Sequence, residues 1–313
     1  MSQQRTDVFF GPAAAFEHQN LIQKKKGALI PSRNVSDEYC YLLFVPRDAH
    51  SQSIQTYDIG ARNSKLIILL EEGATVQARV WLGCAEPHSS HTTEIFLEDG
   101  AELSLLFVQE SDAPSLIIRQ RSAIGANAKL SMQNVSLGSA QLEHSFLSDV
   151  LGVQAESSVD WLFYSKHAEQ QHIHACNVFH ARDGSGEITM KGVAEDKAHM
   201  VCTGMIDIEL GGGGTDTYLR EDVLMLDRTA KVDAVPGLEI KTNDVKASHS
   251  ATVSRVTEED LFYFASRGIP QRAAREMYIL GFLGDLTRRI ADERERASVL
   301  EAIERKYKRG RKI

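Results

Sequence analysis

The segment QQHIHACNVFH carries the densest run of metal-ligating side chains in the sequence, with His172, His174, Cys176 and His180 all at even positions. Successive side chains of an extended strand point to opposite faces, so one strand would present all four on one side. Imidazole nitrogens and a thiolate suit zinc, copper or iron, and Cys202 can approach from a neighbouring strand. The competing reading is a stacked polar ladder on a half-buried face. Asp207 and Glu209 alternate with Ile206, Ile208 and Leu210 and read as the solvent face of a strand. Gly211–Gly214 followed by Thr215 has neither the Gly-Lys-Ser/Thr ending of a phosphate loop nor a helical pattern after it, so it reads as a corner. The four cysteines, Cys40, Cys84, Cys176 and Cys202, are too scattered for a structural zinc site or a disulfide framework. They fit a reducing cytosol.

The elements that would position these groups come from a chain of 313 residues, 42% hydrophobic, 25% charged and only 7% aromatic, so its core is not built from packed rings. A net charge of -8 argues against nucleic acid as a partner, and Lys24–Lys26 and Arg305–Lys312 read as solvated basic ends. No apolar run approaches the roughly 18 residues of a membrane helix, and the N-terminus lacks a basic region followed by a continuous apolar one. Both predict a soluble, cytoplasmic protein.

Turn-like marks recur at Gly60, Gly73, Pro87, Gly100, Asp112, Gly125, Gly138 and Gly152, at intervals of 12 to 14 residues. Between them run short alternating stretches such as TTEIFLEDGAELSLLFVQ, a strand signal with a turn residue after each strand. Such strands can form an antiparallel meander or a parallel solenoid with two strands per rung of about 26 residues. The recurrence of Gly73-Ala74, Gly100-Ala101 and Gly125-Ala126, as if one corner returned once per rung, favours the solenoid.

The pattern changes at Thr257, an N-cap followed by Glu258, Glu259 and Asp260, with the helix ending at Gly268. Pro270 begins a second helix to about Ile290 with a small apolar face of Ala273, Met277, Leu280 and Gly284, and DERERASVLEAIERKY forms a third. The expected organisation is an N-terminal region, 1–35, with a helix over AAAFEHQNLIQKKK, a β core, 36–256, and a C-terminal helical domain, 257–313.

The stretch LEIKTNDVKASHSATVSRVTEEDLFYFASRGIPQRAAREMYILGFL, residues 238–283, resembles the C-terminal signature of the SufB/SufD family, the scaffold proteins of the SUF iron–sulfur cluster assembly system. The segments GSGEITMKGVAEDKAHMVCTGMIDIE and EDVLMLDRTAKVDAVPGLEI extend the resemblance upstream to about residue 155. It implies a right-handed parallel β-helix that pairs through its end, as SufB with SufD or as a homodimer. It also implies a helical domain that docks on the ABC ATPase SufC, a sulfur donor system, and a transient iron–sulfur cluster formed at the dimer interface. ATP hydrolysis belongs to SufC, so no enzymatic activity is expected of this chain.

His249 stands at the family's interface histidine, where a neutral imidazole can ligate iron; the other reading is a histidine that only hydrogen-bonds. Ser250 replaces the glutamate that SufB carries after that histidine, and Glu221 falls where SufB has its interface cysteine, so the chain looks more like SufD. Glu221 and Asp222 can offer hard oxygen ligands to iron, or be solvated charges beside Arg220. No thiol lies between Leu210 and the C-terminus. The alternatives are a self-sufficient homodimeric SufB-like scaffold and a β-helix carbohydrate-active enzyme. Trp81 and Trp161, the only tryptophans, leave the enzyme with few aromatic platforms.

Overall fold

The computed structural model describes residues 9–12, 40–60 and 63–309; the helix expected over AAAFEHQNLIQKKK lies outside them. The alternating stretches form two facing sheets, and the chain passes from one to the other at every corner. The first sheet contains β1 (Phe9–Pro12), β2 (Cys40–Val45), β4 (Asn63–Leu70), β6 (Ser89–Leu97), β8 (Ser115–Ile124), β10 (Gln141–Val150), β12 (Gln170–Phe179) and β14 (His199–Ile208). It ends in two short strands, β16 (Lys231–Ala234) and β17 (Gly237–Ile240), which both pair with β14. The second sheet runs β3 (His50–Ile59), β5 (Thr75–Leu82), β7 (Glu102–Ser111), β9 (Lys129–Gly138), β11 (Glu156–Ser165), β13 (Ser185–Ala194), β15 (Asp216–Met225) and β18 (Lys246–Arg255). From β2 to β16 each strand pairs in parallel with the strand two places along, as Gln141 of β10 lies between Ser115 and Gln170, and β17 and β18 pair in parallel with β14 and β15; only β1, against β2, is antiparallel. The fold is a parallel β-solenoid with two strands per rung, which excludes the meander.

One corner explains the period. Asp48, Gly73, Gly100, Asn127, Gln154, Asp183 and Gly214 all adopt positive φ, between 54° and 82°. Each donates its backbone N–H to a carbonyl one rung on, from Asp48 to Glu72 at 3.0 Å through to Gly214 to Asp244 at 2.6 Å. Glycine, asparagine and aspartate tolerate this left-handed conformation best, hence the turn residues. The small residue that follows turns inward: Ala74, Ala101, Ala128 and Ala155 are all fully buried. The third corner is therefore Asn127-Ala128 and not Gly125-Ala126, two residues earlier, because the residue that must be left-handed there is an asparagine.

Alternate residues of both sheets fill the solenoid with a core of Leu, Ile, Val and Ala, supplemented by Phe107, Phe146, Trp161 and Phe163. The outer face of the second sheet is apolar as well, and the C-terminal helices cover it. These are α1 (Glu258–Ser266), α2 (Gln271–Thr287) and α3 (Glu293–Lys308). Thr257 caps α1 in a reciprocal box with Asp260, and Asp292 caps α3. The buried face of α2 is Ala274, Ile279, Leu283 and Leu286, rotated from the predicted face of Ala273, Met277, Leu280 and Gly284; Met277 is half exposed. A broad sheet, not a narrow helix partner, receives α2, so it buries its large branched residues against Val135, Leu162 and Val193. Ion pairs tie the helices down: Lys191–Asp285 at 2.9 Å, Arg79–Glu295 at 2.7 Å, and Lys306–Glu169 at 2.8 Å.

Candidate functional site at the open end of the solenoid

Strand alternation sorts the candidate residues. Thr217, Leu219, Glu221 and Val223 of β15 point into the solenoid, and Tyr218, Arg220 and Asp222 point out. Register pairs Leu219 with His249 of β18, which therefore shares the inward face, one step diagonally from Glu221. No described strand pairs with the far edge of β18, so His249 is exposed at an open mouth. The structure thus brings Glu221 and His249 onto one row and puts Asp222 on the opposite side of the sheet. There Asp222 accepts a hydrogen bond from Arg220 Nε at 2.6 Å, and Tyr218 donates its hydroxyl proton to Ser250 Oγ at 2.7 Å.

Glu221 is no solvated charge: it is fully buried inside the last complete rung. Its seat follows from a break in the facing sheet. Pro236 has no N–H to give a ladder, and the strand splits there, β16 stopping at the partner of Cys202 and β17 resuming at the partner of Met205. That leaves the inner rung's Gly204 unpaired on that side, and Glu221 reaches across the interior so that its Oε1 accepts the Gly204 N–H; the Val235 N–H, which donates to the Cys202 carbonyl at 2.9 Å, also favours its charge. Only glycine leaves room, because a Cβ at 204 would sit 2.4 Å from Leu219 Cδ1 and 2.9 Å from Glu221 Oε1. The other carboxylate oxygen, Oε2, is buried without a hydrogen-bond partner. Burial pushes the carboxyl up to about 7, against the two backbone N–H groups that favour the charge.

Cys202 faces the same interior. Its thiol donates to Met190 Sδ at 3.8 Å, and Met190 is the register partner of Glu221. Burial, and then the charge of Glu221, hold this thiol well above its ordinary range. Cys202 therefore belongs with Glu221. It cannot join the QQHIHACNVFH array, because its register partner is Ile173, which points inward. His172, His174 and Cys176 do share the outer face of β12, as alternation predicts, with both histidines exposed. Burial, with Asp207 and Asp149 nearby, pushes the Cys176 thiol up to about 12, so the thiolate a metal needs is disfavoured there. His180 is taken up by Asp149, with Nε2 3.1 Å from Oδ1.

Among the described residues, the one group of three potential ligands with atoms within 4.8 Å of one another is Glu195, Asp196 and Asp227, which the sequence did not suggest. Arg275 of α2 already occupies it, 2.6 Å from Asp227 and 3.5 Å from Glu195, and Tyr164 donates to Glu195 at 2.5 Å. It is an ion cluster that clamps α2. Trp161 is fully buried and Trp81 packs beneath the helices, so neither forms a sugar platform.

The open end is also apolar. Leu210, Val235 and Val253 are 79%, 54% and 47% exposed, and Ile240 is exposed beside them. A second apolar surface lies on the helices, where a groove of about 420 Å³ is lined by Leu224, Phe264, Met277, Tyr278, Gly281 and Phe282. Phe262 and Tyr263 stand exposed on α1. At this end the His249 imidazole is exposed, whereas the Glu221 carboxyl and the Cys202 thiol are both fully buried.

Residues 53–282 match the family described as "SUF system FeS cluster assembly, SufBD core domain". The iron–sulfur cluster assembly protein SufD of Escherichia coli is 39% identical over 113 residues, 36% of this chain and 27% of that protein. A SufBD family iron–sulfur cluster assembly protein of Mycobacterium tuberculosis is 30% identical over 222 residues, 67% of this chain and 55% of that protein. SufD of Bacillus subtilis is 23% identical over 324 residues, covering 97% of this chain and 74% of that protein. The chain thus spans only part of the length of the curated relatives it matches.

Proposed function

The chain belongs to the SufBD family of SUF-system iron–sulfur cluster assembly proteins, and on that premise we propose that it is a SufD-like scaffold subunit whose open solenoid end pairs with a second SufBD chain. The observation that carries this reading is the unfinished last rung. The edges of β16, β17 and β18 are unpaired among the described residues, apolar side chains crowd them, and His249 faces inward at the same place. Bare strand edges with exposed apolar groups are templates for another chain. A second solenoid abutting this end, from a different SufBD protein or another copy, would continue the ladders and enclose His249. The nascent cluster, with sulfur from a donor system, would then form at this boundary as a transient cargo.

The helices 257–313 are the docking module for the SufC ATPase in this reading. The apolar groove between α1 and α2, with Phe262 and Tyr263 beside it, is the surface offered. ATP hydrolysis is SufC's, and the chain itself acts as a scaffold without catalysis, in the cytoplasm. The test is co-purification of the full chain with SufC and a second SufBD chain. Phe262→Asp with Met277→Asp should release SufC and keep the paired scaffold; Val253→Asp should do the reverse. If both variants retain both partners, the assignment of surfaces is wrong.

A further inference from the structure

The outer face of the first sheet carries a group of ligands that the scaffold reading leaves unused. Strand β12 puts His172 and His174 on that face, both exposed, with Ile173 between them turned into the core. Register sets Glu143 of β10 directly beside His172, and Ser145 and Thr203 on either side of His174. We propose that His172 and His174, with Glu143, form a surface site for one divalent transition-metal cation such as Zn(II), Ni(II) or Cu(II). The helices cover the other sheet, so this site does not depend on how they or the open end are used.

Spacing carries the proposal. Residues two apart on a strand stand about 6.6 Å apart on one face, and the neighbouring strand is about 4.8 Å away. Histidine and glutamate side chains are long enough to span those gaps to one ion held at about 2.1 Å. The flanking Ser145 and Thr203 are small, and neither imidazole engages in a hydrogen bond, an ion pair or a ring contact among the described residues. Glu143 meets Arg119 only at 3.6 Å, with both side chains exposed, so that pair is weak and yields to a cation. The ligand atoms are not gathered within 4.8 Å of one another as those at Glu195 are, so binding turns exposed side chains about their own χ angles, a motion that no packing opposes. Partial burial also lowers the proton affinity of His174 below the ordinary histidine value, so its ring is neutral and able to ligate at pH 7. The neighbouring candidates are otherwise engaged: Cys176 is buried, and His180 and His199 are held by Asp149 and Asp233 at 3.1 and 3.0 Å. Two imidazoles and one carboxylate suit zinc, nickel and copper and not magnesium or calcium, which take oxygen ligands.

The test is isothermal titration calorimetry of the full chain alone with Zn(II). The expected result is one saturable equivalent, weakened about tenfold or more in His172→Gln and in His174→Gln and about threefold in Glu143→Gln. Cys176→Ser and His249→Ala should bind as the native chain does. All three ligands are exposed, so their variants should keep the native melting temperature, and a loss of binding then reads as a loss of ligands. No saturable equivalent, unchanged affinity in any one of the three ligand variants, or an equivalent that disappears in Cys176→Ser or His249→Ala overturns the proposal. Because the assay needs neither partner nor sulfide, it can fail while scaffold pairing and cluster assembly stand, and succeed while they fall.

Discussion

Replacing Glu221 by glutamine should remove a pH dependence that is specific to this residue. In the folded chain the Glu221 carboxyl lies at about 7, against an ordinary value of 4.5, with burial as the leading cause. The folded state therefore binds a proton between these values that the unfolded chain has already lost, and stability falls as pH rises through that window. The contribution is fully present below pH 4.5 and lost above pH 7. At about 1.4 kcal/mol per pH unit the interval amounts to about 3 kcal/mol, and water screening near the open mouth reduces this to about 2 kcal/mol. Glutamine mimics the protonated acid: its oxygen still accepts from Gly204, and it carries no charge to bury. Urea unfolding of both proteins from pH 4.5 to pH 8.5, with chelator present, should give similar stabilities at the acid end. The variant should be the more stable by about 2 kcal/mol at the alkaline end. Comparing the two proteins cancels the titration of every other carboxylate. A difference that stays flat across the range would refute the buried seat of Glu221.

Gly204→Ala should destabilise the chain by about 1–3 kcal/mol through overpacking against Leu219 and Glu221, and adding Glu221→Ala should relieve part of that loss, measured by a double-mutant cycle. Arg275→Ala removes the guanidinium that joins Asp227 and Glu195 to α2 and should cost about 1–3 kcal/mol, with limited proteolysis cutting α2 and α3 before the solenoid. Gly192→Ala drives a Cβ to 2.0 Å from the Phe163 ring and should lower the thermal midpoint more than the same change at Gly281, where the space is open. His249→Ala, on an exposed edge residue, should leave the melting temperature within a degree or two of the native chain.

The period of turns carried most of the architecture because each rung spends one left-handed residue and one small residue on its corner, and both leave a mark in the sequence. The mark blurs where Asn127 or Gln154 replaces glycine, which is how the third corner slipped by two residues. Helix α1 was legible to its capping box, a local device, while the buried face of α2 was not. The surface that receives α2 is assembled from separate strands, with Val135, Leu162 and Val193 on three different ones. The site shows the same division. Alternation placed His172, His174 and Cys176 on one face, and it separates Glu221 from Asp222, adjacent residues that must point apart. That Glu221 reaches Gly204 depends on rung length and on the break at Pro236. A proline inside an alternating strand was the available signal.

In the proposed reading the open solenoid end, and not the helical face, meets another SufBD solenoid. A photo-cross-linking amino acid at Val253, in the chain co-expressed with SufC and a second SufBD protein, tests that contact directly by the mass of the adduct. An adduct with the second SufBD chain, or with another copy of this one, is the predicted result. No adduct at Val253, or an adduct with SufC alone, would contradict pairing through the open end.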